Sequence, residues 1–186
     1  MAIALDNLHK SYGELHVIRG VTHRFPERGV VAITGKSGSG KTTLLHMILG
    51  LIPPDSGEIT GVSQMGAVFQ EDRLIGSLSV AANLKLIERD ERLIDRHLRE
   101  VGLYEFRGEP IFALSGGMKR RLAIARAVMY PCESMAMDEP FKGLDADTRA
   151  EVISYVLNAC PERLILFVSH EPEELERMAP VDEICL

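Results

Sequence analysis

Gly35-Lys36-Ser37-Gly38-Ser39-Gly40-Lys41-Thr42 fits the pattern G-x-x-x-x-G-K-[ST], in which each specified residue type has a task in holding phosphate. Glycines let successive backbone N–H groups turn toward one anion, the lysine reaches the β/γ-oxygens of a nucleotide, and the threonine hydroxyl holds Mg²⁺. Asp138-Glu139 follows the short apolar run Met135-Ala136-Met137. Beside a phosphate loop, one carboxylate can serve the metal while its neighbour orients and deprotonates the attacking water. Asp138 is expected at magnesium and Glu139 as general base. Ser115-Gly116-Gly117 offers a hydroxyl, two unhindered glycine N–H groups and a helix start. These make a second anion-binding surface, although taken alone they read equally well as a helix cap.

The flanking pattern supplies elements to position these groups. Residues 30–34 form a β-rich run that ends where the glycine loop begins, and residues 41–51 read as a helix with Leu44, Leu45, Ile48 and Leu49 on one apolar face. Strands are expected at 2–8 and 16–25 around a Tyr12-Gly13 turn, and again near 58–60 and 65–69 after the turn cluster at 53–57. Between Asp72 and Phe112 charged residues interleave with Leu and Ile, and a helical period runs over 79–101, which reads as an inserted helical lobe. Ser115 then caps a helix that Pro131 ends. A strand at 133–137, a helix at 147–158, a strand at 163–168 and a helix at 172–178 complete an alternation that implies a parallel sheet covered on both faces. Asp138 and Glu139 thus fall at a strand's carboxyl end, where open α/β folds place ligands. Ser134 and two methionines predict looser packing around that strand.

Composition narrows the class. With 186 residues, 46% hydrophobic and 26% charged, the chain has the make-up of one globular unit. A net charge of −6 disfavours nucleic acid as a partner. Cys132, Cys160 and Cys185 are odd in number and scattered, which argues against both a disulfide framework and a zinc site. His9, His16 and His23 recur without a usual ligand spacing and read as surface or turn residues. No apolar run approaches the roughly 20 residues of a membrane helix, and Met-Ala-Ile-Ala-Leu-Asp lacks the charge-then-apolar form of a secretory signal. A cytoplasmic location is expected.

Leu114-Ser115-Gly116-Gly117-Met118, leading into a basic, apolar-striped stretch through Arg126, resembles the signature of ATP-binding cassette (ABC) ATPases. With the phosphate loop, the resemblance covers nearly the whole chain. It implies an α/β fold: a P-loop NTPase (RecA-like) core with a parallel sheet, an N-terminal antiparallel β subdomain and an inserted small α-helical subdomain. The division would be 1–71 and 115–186 for the core and 72–114 for the insert, within one domain. By the same resemblance Thr43 is a further phosphate contact, Tyr12 stacks on adenine, Gln70 senses metal and nucleotide, and His170 contacts the γ-phosphate. Asp145, in Gly143-Leu144-Asp145, lies in the loop that crosses a dimer interface. Ser115, Gly116 and Gly117 would meet the γ-phosphate held by the opposite subunit, so the expected unit is a homodimer sandwiching two ATP molecules head to tail, with Mg²⁺. Lys142 stands where the family usually has a small residue.

Phe69-Gln70-Glu71-Asp72-Arg73-Leu74 and Met137-Asp138-Glu139-Pro140-Phe141 look like importers of the nitrate, sulfonate and taurine type. That implies separate integral membrane permease subunits, reached through the stretch from Glu71 to Ile87, and an extracytoplasmic solute-binding protein. The chain would then be peripheral on the inner face of the membrane. On residues alone the ATPase of an exporter or of a lipid or peptide extrusion system, a soluble non-transport cassette and a small-molecule kinase stay open.

Overall fold

The structure is a computed structural model and describes residues 2–186. The elements open with strands β1 (Ala4–Tyr12), β2 (Leu15–Arg24) and β3 (Gly29–Thr34), followed by helix α1 (Lys41–Ile48). Strands β4 (Ser56–Thr60) and β5 (Met65–Val68) precede helices α2 (Val80–Lys85), α3 (Glu91–Glu100) and α4 (Gly116–Met129). The chain ends with β6 (Ser134–Asp138), α5 (Ala146–Ala159), β7 (Leu164–Val168), α6 (Pro172–Met178) and β8 (Asp182–Cys185). Two compact units result, one of Met1–Met65, Cys132–Asp138 and Glu162–Leu186, the other of Gly66–Pro131 and Glu139–Pro161.

In the first unit, β1 is the centre of an antiparallel sheet ordered β2-β1-β4. A parallel sheet runs β6-β7-β3-β8. Its inner strands carry little but apolar side chains because both faces are covered: β7 is Leu-Ile-Leu-Phe-Val, buried at every residue. One core gathers Leu5, Leu8, Ile18 and Phe25 with Val31, Ile33, Leu44, Ile48 and Leu166, so the antiparallel sheet, α1 and the parallel strands share it. Strand β6 is buried throughout, Ser134 and both methionines included.

The second unit is helical. The helical period over 79–101 is met by two helices, α2 stopping at Lys85 and α3 starting at Glu91. Local side-chain acceptors win over helical continuation: Glu88 Oε1 takes the amides of Arg89 and Asp90, and Asp90 caps α3 through the Arg92 amide at 2.8 Å. Asn83, fully buried before that break, ties down the preceding loop by accepting from the Ile75 amide at 2.9 Å and donating to the Ile75 and Ser79 carbonyls. Packing between α3 and α5 includes His97 Nδ1 at 2.9 Å from the Tyr155 hydroxyl. No helix among the described residues is long and apolar enough to cross a membrane.

Candidate functional site

In the first unit the strand register brings three chemical groups to one level. Val168 is level with Ile33 of β3 on one side and with Asp138 of β6 on the other. The glycine loop leaves β3 just past Ile33, His170 follows β7, and Asp138 ends β6, so all three lie at the carboxyl edge of the parallel sheet, where ligands of open α/β folds bind. Asp138 is 1% exposed.

The loop needs its glycines. Gly35, Gly38 and Gly40 have φ of 137°, 79° and 104°, a region costly to residues with a Cβ. A Cβ at Gly40 would also meet Val17 Cγ1 at 2.6 Å and Ile18 Cδ1 at 2.9 Å, while one at Gly38 would meet nothing within 4 Å. Helix α1 begins at Lys41 with no side-chain cap and no acidic residue in its first turn. Its leading amides and positive dipole end are therefore available to an anion. Lys41 is 8% exposed, and its Nζ donates to the carbonyls of Gly35 at 3.0 Å and Lys36 at 2.9 Å, which keeps the ammonium inside the loop. Thr42 is exposed and Thr43 half-buried in the first turn, and Lys36 and Ser37 are exposed at the loop's tip. Ser39 and Gly38 line a hollow shared with Val17, Ile18, Arg19 and Leu186.

Tyr12 ends β1 half-exposed, with Lys10 Nζ 5.9 Å from its ring centroid. His170 is exposed, with Nε2 3.4 Å from Glu171 Oε1. Ser169 beside it is buried and donates to Glu174 at 2.6 Å, fixing the turn into α6. His9, His16 and His23 lie on β1 and β2 rather than in turns, each near a polar side chain: Asn7, Ser11 and Asp182.

In the second unit Gln70 and Glu139, sixty-nine residues apart, meet: Gln70 Nε2 donates to Glu139 Oε2 at 3.3 Å. Lys142 Nζ donates to the same oxygen at 2.7 Å. Glu139 adopts φ 45°, a left-handed conformation rare outside glycine, and such strain persists where surrounding structure enforces it. Arg120 is the enforcing group. The residue is 5% exposed, and its guanidinium donates to the carbonyls of Glu139 at 2.6 Å, Pro140 at 2.7 Å and Phe69 at 2.5 Å, and to Asp72 Oδ1 at 3.2 Å. One planar fork thus couples the turn after Asp138 to the Phe69-Gln70 stretch. Arg120→Ala leaves several carbonyls without this donor and should cost about 2–3 kcal/mol of stability. A urea midpoint lowered at unchanged m would register it, and a loss below about 1 kcal/mol would contradict it.

Ser115 caps α4, its Oγ accepting from the Met118 amide at 3.3 Å, and Gly116 lies exposed in the first turn. A Cβ at Gly117 would touch Leu144 Cδ2 at 3.4 Å, which sets the Ser115–Gly117 segment beside the Gly143–Asp145 loop. Asp145 caps α5 through the Thr148 amide at 3.0 Å and hydroxyl at 2.8 Å. Those two donors, the amide foremost, hold its carboxyl below the usual carboxylate range.

Arg120 went unread in the sequence because Lys119-Arg120-Arg121 looks like a solvated basic face. No local pattern separates it from Arg121, which stands equally four residues before a buried residue, Ala125.

Comparisons with known proteins identify the family of the chain. The sequence profile of the family described as ABC transporter matches residues 18–142. The aliphatic sulfonates import ATP-binding protein of Rhodococcus jostii is 37% identical over 185 residues, 96% of this chain and 69% of that protein. The taurine import ATP-binding protein of Rhizobium johnstonii is 38% identical over 183 residues, 88% of this chain and 70% of that protein. A solved ATP-binding cassette, a dimer in a post-hydrolysis state bound to ADP and Pi, superposes with TM-score 0.87 at 26% identity, covering 99% of this chain and 94% of its own. Profile, relatives and fold converge with a glycine loop at the sheet's carboxyl edge and a capped Ser-Gly-Gly helix: the chain belongs to the ABC transporter family.

Proposed function

We propose that this chain is the ATP-binding and ATP-hydrolysing subunit of an ABC importer, powering movement of a small solute through separate membrane permease subunits. The observation that carries the reading is Glu139: a strained carboxylate, fixed by Arg120 at its backbone and by Gln70 at its side chain, directly after the buried Asp138.

The glycine loop and the first turn of α1 hold the nucleotide phosphates through backbone N–H groups, with Lys36, Ser37, Ser39 and Thr43 around them and Lys41 supplying the charge. Tyr12 and the hollow by Val17 receive the nucleoside end. Thr42, Asp138 and Gln70 offer hydroxyl, carboxylate and amide oxygens, a hard donor set that fits Mg²⁺. The ion would neutralise phosphate charge when bound. Glu139 accepts a proton from the attacking water, Gln70 orients that carboxylate, and His170 donates toward the γ-phosphate. Across a homodimer, Ser115, Gly116 and Gly117 of one copy face the nucleotide of the other head to tail, and Asp145 lies at the crossing.

Residues 72–114 serve as the helical lobe that meets the permease, and Ile75, Leu86 and Phe112 leave apolar surface exposed there. The subunit sits peripherally on the cytoplasmic face, with an extracytoplasmic solute-binding protein delivering the solute. Relatives that import sulfonates and taurine suggest a small organosulfonate. Deleting the chain should abolish ATP-dependent uptake of taurine or an alkanesulfonate, and undiminished uptake of both would overturn that substrate class.

A further inference from the structure

Lys142 departs from the small residue expected before Gly143, and its side chain reaches the base. Its Nζ lies 2.7 Å from Glu139 Oε2, the oxygen that also accepts from Gln70 at 3.3 Å. The two partners differ in freedom. Glu139 is anchored through its own carbonyl by buried Arg120, and its side chain is only 20% exposed, whereas Lys142 is 63% exposed on a flexible stem with a strongly hydrated head. The pair can open by movement of the lysine alone.

An ammonium offers three donors and no acceptor. On a carboxylate that must receive a proton from water, it competes with that water for the lone pairs of the oxygen it covers. We infer that Lys142 is a brake on hydrolysis: its ammonium occupies Glu139 until it swings into solvent, and only the released carboxylate takes the proton. This rests on the reading of Glu139 as the base. Exposed pairs of this kind shift an equilibrium by a factor of about 1.5 to 5, which bounds the brake's strength. Salt weakens it, since an exposed pair is screened.

The test is single-turnover ATP hydrolysis by the full chain, assembled with its permease if the chain alone is silent, with ATP affinity measured in parallel. Lys142→Ala should hydrolyse about 1.5- to fivefold faster at low salt with unchanged ATP affinity. Lys142→Arg, which keeps the charge, should give a smaller rise. Added salt should speed the wild-type protein relative to Lys142→Ala, a response that a merely structural lysine would not give. A Lys142→Ala protein that is unchanged or slower overturns the brake. The two readings fail separately. Glu139→Gln turning over at the wild-type rate removes the base itself, whereas a dead Glu139→Gln protein beside an unaccelerated Lys142→Ala protein removes only the brake.

Discussion

Glu139→Gln is expected to bind ATP like the unmodified chain and to hydrolyse it about 100-fold to 10,000-fold more slowly, the range that a positioned general base contributes. The amide has the same shape as the carboxylate, and its oxygen can still accept from Gln70 Nε2 and Lys142 Nζ. The backbone at φ 45° stays held, because Arg120 grips the Glu139 carbonyl and not the side chain. What is lost is the basic lone pair. Phosphate release under single-turnover conditions, set beside equilibrium ATP binding, separates the two effects. Hydrolysis within a few-fold of wild type would move the proton acceptor elsewhere.

Lys41→Ala should fail at the preceding step. Lys41 is the buried cation of the glycine loop, and its Nζ bonds to the Gly35 and Lys36 carbonyls that shape that loop. A hydrogen bond to a charged group contributes about 1.5–3 kcal/mol, so removing the ammonium should weaken ATP binding about 10- to 150-fold. The alanine also releases both carbonyls and loosens the cradle. Calorimetric titration with ATP measures the effect, and an affinity within threefold of wild type would contradict it. The contrast is diagnostic: one substitution removes chemistry and spares binding, the other removes binding.

Much of this was legible because local chemistry demanded particular residues. Gly35, Gly38 and Gly40 adopt backbone angles that other residues reach only at a cost, so the loop's geometry is written in residue type. Ser115 and Pro131 bracketed α4, and the aliphatic runs of β3 and β7 declared buried parallel strands. What stayed hidden depends on distant partners or on mixed signals. Strand β8 begins Asp182-Glu183, and only its parallel register with Val31 and Ala32 makes it a strand. The break between α2 and α3 falls at the charged stretch 88–92 within the helical period over 79–101, and it is decided by Glu88 and Asp90 capturing amides. Arg120 takes its role from carbonyls at 69, 139 and 140, which no local pattern announces. Lys142 was visible as a departure, but its contact with Glu139 needed the turn between them.

The central claim is that two copies of this chain close on ATP, and the most direct measurement is sedimentation of Glu139→Gln with and without ATP and Mg²⁺, repeated with Ser115→Arg added. The account predicts a dimer that forms only with ATP and that the arginine, placed at the exposed start of α4, abolishes. A dimer indifferent to the arginine would contradict the role given to Ser115–Gly117, and a monomer saturated with ATP would contradict closure of the chain on its own nucleotide.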